Sequence, residues 1–333
     1  MWRVIPSGHG NRSEPLKALK IFPVTDNLNN HSEAGATARL HYTLYPIFGI
    51  GAKRVCRHRL LFHAEQFPMS EYLVAVILGI IQGLTEFIPV SSSGHLIIAT
   101  SLLGLDEPRI DTFLVVIQFG SILAVVVLYW SRFRELLLPS RPGVRFAGAR
   151  GLYLLFLTCL PASLLGLFAR NFIKGYLFNP FSVALALAVG ACLMLLLEAR
   201  ESRIRCAALD EITPKMALGI GCCQCLALWP GFSRSASTIM GGMLMGANRS
   251  LAVEYSFIAA VPIMMAATGY DLLKSLSFLT RADIPFFLVG SVVSFLAGLA
   301  AVKAFTGLVA RISLRPFAVY RLALAPLVYW FFI

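Results

Sequence analysis

Charge is scarce: only 14% of the 333 residues are Asp, Glu, Lys or Arg, against about 25% in soluble domains. A soluble globular domain and a disordered chain are both excluded, because 57% of the residues are hydrophobic where about 45–50% is usual. A disulfide framework is also missing. The seven cysteines are scattered through apolar segments, and such a framework needs regular spacing in a short secreted chain. Cys222, Cys223 and Cys225 cluster, but further metal ligands are lacking nearby, so small-residue helix packing is their reading. The residues before Met69 have no apolar run of spanning length and none of the layout of a signal peptide.

The apolar residues come in runs of about 20, the length that crosses a bilayer core as helix. The formal charge of +12 does not point to nucleic acid. Its basic residues lie between apolar runs, where Lys and Arg anchor cytoplasmic loops. The chain therefore reads as an all-α polytopic membrane protein.

Composition changes at Met69. The first 68 residues hold nine of the 29 Lys and Arg residues and five of the six histidines. Residues 1–68 are expected to be an extension, non-native or disordered, with the membrane-embedded domain at 69–333. Without them the formal charge is +7.

Six runs are long enough to span: about 111–130, 151–169, 181–198, 252–272, 284–303 and 317–333. Two further stretches are interrupted. Residues 72–88 end at Pro89 and resume as a short apolar piece at 96–103. Residues 214–229 end at Pro230-Gly231 and resume at 236–246. Each reads as helix, break and half-helix. Such re-entrant hairpins survive at membrane depth only when buried in protein or lining a cavity.

The two hairpins are related by a shift of 142 residues. Gly79 falls on Gly221, Gln82 on Gln224, Leu84 on Leu226, Ser91 on Ser233 and Ser93 on Ser235. The expected layout is two repeats, 72–198 and 214–333, each a re-entrant hairpin plus three transmembrane helices. Three spans is an odd number, so the second repeat enters from the opposite side. That inverted-topology arrangement is familiar from transporters. Thirteen basic residues fall on one side of this layout, among them Arg132, Arg141, Arg150, Arg203 and Arg249, against five on the other. The richer side is expected to be cytoplasmic.

Each break precedes a helix N-terminus, which carries about half a positive charge and attracts anions, phosphate above all. Ser91, Ser93, Ser233 and Ser235 are expected at these ends, as caps or as substrate contacts. Gln82 and Glu86 are four apart and share one helix face, offering an oxygen pair for Mg²⁺ or Ca²⁺; the alternative is packing, with Glu86 paired to Arg234. Ser92 and His95 are three apart, a spacing that suits a nucleophile and its base; the alternative is a cap and a hydrogen-bonded ring. Arg234 offers a planar fork for phosphate oxygens.

These residues carry a resemblance. Gln82-Gly-Leu-Thr-Glu86-Phe-Ile-Pro-Val-Ser-Ser-Ser-Gly-His95 resembles the first signature of bacterial undecaprenyl-diphosphate phosphatases of the bacitracin-resistance type. Pro230-Gly-Phe-Ser-Arg234-Ser resembles the second. The likeness covers about 70–333 and includes Gln224-Cys-Leu-Ala-Leu-Trp-Pro and Gly241-Gly-Met-Leu-Met-Gly. Ala236 departs from the glycine that many members have there, and Gln82 leaves one fewer carboxylate. The resemblance implies hydrolysis of undecaprenyl diphosphate to undecaprenyl phosphate, which recycles the lipid carrier for peptidoglycan and deprives bacitracin of its target. It further implies an inner-membrane protein whose site opens to the periplasm. In that reading Glu86, with Gln82, holds a divalent cation, and Arg234 and the half-helix N–H groups hold the terminal phosphoryl group. Ser92 attacks with His95 as base; attack by water or by His95 itself stays open. A homodimer is compatible with the sequence, and a lipid-phosphate carrier is the rival function, since broken inverted repeats also build transporters.

Overall fold

The computed structural model describes residues 70–105, 107–139, 143–177, 179–200, 204–275, 277, 279–309 and 311–332. The extension 1–68, the boundary at Met69, and Arg141 and Arg203 lie outside them. Among the described residues the chain is helical, and the one β interaction is an isolated bridge from Cys206 to Ala247. The helices are α1 (Glu71–Thr85), α2 (Ser92–Leu102), α3 (Pro108–Leu128), α4 (Trp130–Leu137), α5 (Gly148–Phe168), the short α6 (Arg170–Phe172) and α7 (Pro180–Ala199). After them come α8 (Pro214–Gln224), α9 (Arg234–Leu244), α10 (Arg249–Ser275), α11 (Ile284–Val309) and α12 (Arg315–Phe332).

Five helical segments among the described residues are long and apolar enough to cross a membrane: Pro108–Leu128, Gly148–Phe168, Pro180–Ala199, Arg249–Ser275 and Arg281–Val309. The protein is a multi-pass membrane protein. The sixth expected span is α12, 18 residues long, which is not among the five. Arg315, Arg321 and the internal Pro326 lower its hydropathy. Large apolar side chains such as Phe168, Leu196, Leu288 and Trp330 stay exposed on the outer faces. In water such a surface would be an aggregation hazard; facing lipid, it has no such cost.

Both breaks form hairpins. Arg109, at the start of α3, bonds Glu71, at the start of α1, at 3.0 Å, and Asp283 at 3.2 Å. The chain thus leaves and returns at one end across α1 and α2. Around α8 and α9 the same closure appears, where Arg205 N–H donates to Gly246 O at 2.8 Å. The two hairpins open at opposite ends: Arg132, beyond the end of α3, reaches Glu254 in the second turn of α10 at 3.3 Å. That second end also gathers Arg249 with Glu198 at 2.9 Å and Arg150 with Ile212 O at 3.1 Å.

Small residues set the helix spacing. A Cβ at Gly79 would lie 2.7 Å from Gly290 O on α11, and one at Gly221 would lie 2.6 Å from Thr158 O on α5. Close backbone approach through small residues is the usual means of helix association in lipid. These two glycines are related by the 142-residue shift, and each packs its hairpin against a long helix of the other half. Val74, Ala75, Leu78, Leu96, Phe113 and Phe286 bury the first hairpin against α3 and α11. The second hairpin packs its Ile220, Ala236, Ile239 and Met240 into the main core with Leu154 and Phe257.

Candidate active site

Each break turns through a serine in the left-handed region: Ser91 has φ 73° and Ser233 φ 79°. L-residues pay about 1–2 kcal/mol for that conformation. Each hydroxyl then caps the following helix. Ser91 Oγ accepts from Gly94 N–H at 3.3 Å, and Ser233 Oγ accepts from Ala236 N–H at 3.2 Å. The neighbouring serines pair with them, Ser93 with Ser91 at 3.2 Å and Ser235 with Ser233 at 3.0 Å. Ser235 Oγ also donates to Ile88 O at 3.1 Å, which joins the second hairpin to the first.

Glu86, buried just beyond the last residue of α1, is the centre of the cluster. Its Oε2 accepts from Gln82 Nε2 at 2.9 Å and from Ser92 Oγ at 2.7 Å. Its Oε1 accepts from Arg234 Nη2 at 3.2 Å. One carboxylate therefore gathers a hydroxyl, an amide and a guanidinium drawn from both hairpins. Arg234 is held in turn by Ser256 O at 3.3 Å and lies 5.4 Å over the Phe87 ring. Thr238 Oγ1 donates to Arg234 O at 2.9 Å and pairs with Ser256 Oγ at 2.6 Å.

One expectation changes. Ser92 and His95 do not pair. Ser92 Oγ turns to Glu86, while His95 Nδ1 bonds Ser91 O at 2.8 Å and Nε2 bonds Tyr320 OH at 2.6 Å. A spacing of three puts both on one helix face. The carboxylate at the end of the preceding helix is a stronger acceptor than an imidazole, and the left-handed corner at Ser91 aims Ser92 at it. At the expected Gln82–Glu86 oxygen pair the two side chains bond each other. The amide nitrogen of Gln82, not its oxygen, meets Glu86, and Gln82 Oε1 is buried without a partner. Among the described residues no three His, Cys, Asp or Glu side chains group as a metal site.

Sequence reasoning missed Tyr320 and Arg321 on α12. Tyr320 stacks on His95 with ring centroids 5.5 Å apart and planes 7° apart. Arg321 is wholly buried. An arginine inside an apolar run was the available signal, since ionisable groups at membrane depth are functional by default. The tyrosine gave no such signal, because tyrosine is common at membrane interfaces.

These features define the class: a polytopic helical membrane protein with a buried carboxylate–guanidinium pair and a serine hydroxyl where two broken helices meet. The family model for bacitracin resistance protein BacA matches residues 75–327. A protein of Maridesulfovibrio salexigens named undecaprenyl-diphosphatase is 65% identical over 263 residues, covering 79% of this chain and 99% of its own. Its namesakes in Nitratidesulfovibrio vulgaris, strain Hildenborough, and Lawsonia intracellularis are 66% and 54% identical over 263 residues, covering 79% and 78% of this chain and 99% and 98% of their own. The chain belongs to the BacA family.

Proposed function

We propose that the chain is an integral membrane phosphatase that hydrolyses undecaprenyl diphosphate to undecaprenyl phosphate and inorganic phosphate. It thereby recycles the carrier for peptidoglycan synthesis and confers bacitracin resistance. The observation that carries the reading is the Ser92 hydroxyl, donating to a buried carboxylate that is itself paired with Arg234. A hydroxyl with a base and an anion-binding fork beside it is the minimum for phosphoryl transfer.

The chemistry follows from these contacts. The terminal phosphoryl group draws Arg234 away from Glu86 by offering two oxygens to its fork. Glu86, released from its cationic partner, is then free to accept the Ser92 proton. Ser92 Oγ attacks the terminal phosphorus and gives its proton to Glu86. The phosphorus–bridging oxygen bond breaks, and the lipid monophosphate leaves with that oxygen. Water then cleaves the phosphoserine and releases phosphate, and a proton returns to Ser92. The N–H groups of α2 and α9 face the phosphoryl oxygens with their positive helix ends. His95, tied to Ser91 O and Tyr320, keeps the first hairpin in place in this reading.

Mg²⁺ or Ca²⁺ would fit this site as a partner of the diphosphate, because both are hard cations held by oxygen, and Mg²⁺ in particular takes one or two protein ligands beside substrate phosphate oxygens. Gln82 Oε1, buried and without a partner, and Glu86 would hold it. When bound, it neutralises charge on the diphosphate oxygens. The hairpins are re-entrant, their tips meeting within the bilayer as halves of an inverted-topology repeat. The basic end, with Arg132, Arg150 and Arg249, is cytoplasmic. The protein lies in the bacterial inner membrane with its site open to the periplasm and the lipid tail along the spans.

A lipid-phosphate carrier would use the same paired hairpins, which open at opposite ends. Purified protein in detergent separates the two readings. A phosphatase releases phosphate from a polyprenyl diphosphate with no second compartment. A carrier binds the lipid, releases none, and moves it only across a sealed vesicle.

A further inference from the structure

Arg321 on α12 is wholly buried, yet the site chemistry does not use it. Its guanidinium makes four hydrogen bonds, all to main-chain carbonyls. Two are on α7: Nε donates to Leu187 O and Nη2 to Ala186 O, each at 3.3 Å. The other two are in the hairpin breaks: Nη1 donates to Pro89 O at 3.4 Å and Nη2 to Gly231 O at 3.3 Å. Among the described residues no carboxylate faces it, and the Phe232 ring lies 5.9 Å away. A buried cation at membrane depth is expensive, so its placement needs a reason beyond filling space.

The placement is specific. Pro89 and Gly231 are themselves related by the 142-residue shift. Pro89 stands three residues before Ser92, and Gly231 three before Arg234. In each break a left-handed serine lies between the gripped carbonyl and the reacting side chain. One rigid fork thus holds the same main-chain atom in both halves. Gly190 on α7 makes room for it: a Cβ there would lie 2.2 Å from Nη2. α7 itself, Pro180–Ala199, carries no basic residue, and the single Arg321 guanidinium serves both breaks.

We infer that Arg321 is a positioning residue that locks the two hairpin breaks to each other, and so sets Ser92 and Glu86 against Arg234. Only the kinetic consequence rests on the phosphatase reading. The lock itself is a property of the backbone. A lysine cannot replace it, because an ammonium has no planar fork to reach carbonyls of both breaks at once.

The test uses the full chain purified in detergent, as Arg321→Lys, Arg321→Met, Gly190→Ala and the Gly190→Ala/Arg321→Lys double variant. Amide hydrogen exchange is followed in segments 86–95 and 228–237, alongside kcat and KM for phosphate release from a polyprenyl diphosphate. Arg321→Lys and Gly190→Ala should each speed exchange in both segments together by about tenfold or more. Each should lower kcat by about 100-fold, the scale of a small misplacement, and leave KM within about twofold, since the groups that bind diphosphate are intact. Gly190→Ala should add little in the Arg321→Lys background, because lysine carries no Nη2 to displace. If Arg321→Met fails to fold, Gly190→Ala still decides, since it removes no hydrogen-bonding group. Exchange that changes in one break only, or in neither, overturns the lock, and so do additive effects in the double variant. An unmodified chain that releases no phosphate overturns the phosphatase reading and leaves the exchange result to judge the lock.

Discussion

Glu86 accepts from three donors, and replacing it with glutamine separates its roles. Glu86→Gln keeps the volume, so no cavity forms, but one acceptor oxygen becomes an NH₂ donor. Whichever way the amide sits, a donor faces a donor, either at Arg234 Nη2 or at Gln82 Nε2 and Ser92 Oγ. Ser92 can rotate to accept, but Arg234 cannot. Arg234 then keeps a buried charge with no anionic partner, which costs about 3–5 kcal/mol. Ser92 loses its base, which general-base catalysis values at about 10²–10⁴-fold in rate. Glu86→Asp divides the two effects: it keeps the charge for Arg234 but is one methylene too short to hold both Oε contacts. Thermal unfolding in detergent and phosphate release from a polyprenyl diphosphate measure the two arms. Glu86→Gln should lose stability and turnover together, whereas Glu86→Asp should lose turnover with most of the stability retained. A folded Glu86→Gln protein with kcat near that of the unmodified chain would refute the assignment of Glu86 as base.

Arg234→Lys should lower kcat/KM about tenfold or more, roughly 1.4 kcal/mol, because an ammonium cannot hold two phosphate oxygens in a plane; near-normal kinetics would leave Arg234 as a counter-ion only. Ser92→Ala should cost orders of magnitude in kcat, whereas His95→Ala and Tyr320→Phe should cost far less and change KM and kcat together. A Ser92→Ala enzyme that keeps most activity would transfer the attack to water. Gln82→Glu places a second carboxylate beside Glu86, which tightens binding of a hard cation, so half-activity should come at a lower free Mg²⁺ or Ca²⁺ concentration than in the unmodified enzyme; identical titrations would remove Gln82 from cation binding. Deleting residues 1–68 should leave membrane insertion and turnover intact, given that the family match starts at residue 75; a truncated protein that loses turnover would show the extension to be needed.

Much of the architecture was legible in the apolar runs, because run length and the bilayer impose the same constraint. The breaks at Pro89 and Pro230-Gly231 were legible as well, since proline and glycine end helices by removing a donor and freeing φ. The relation between Ser91 and Ser233 could be read as a 142-residue shift, and both residues adopt the same left-handed cap. Of the contacts that depend on distant chain, the Glu86–Arg234 pair was legible as one alternative, and the others were not. His95 and Tyr320 are 225 positions apart, and spacing within one hairpin says nothing about a partner on α12. Ser92 and His95 share a face by their spacing, but rotamers and competing acceptors decide which hydrogen bond forms. The carboxylate won because it is charged and lies at the end of the same hairpin's first helix. Arg321 interrupted an apolar run in plain sight, yet its four partners are carbonyls, which leave no trace in side-chain patterns.

In the proposed reaction Ser92 takes the terminal phosphoryl group under the control of Glu86 and Arg234. Rapid acid quench of the purified chain with undecaprenyl diphosphate labelled in its terminal phosphate traps the covalent species, with the label then located by peptide mass. Label should appear on the peptide bearing Ser92 before free phosphate accumulates, and Ser92→Ala should carry none. A full turnover of product in which the label never resides on the protein would contradict it.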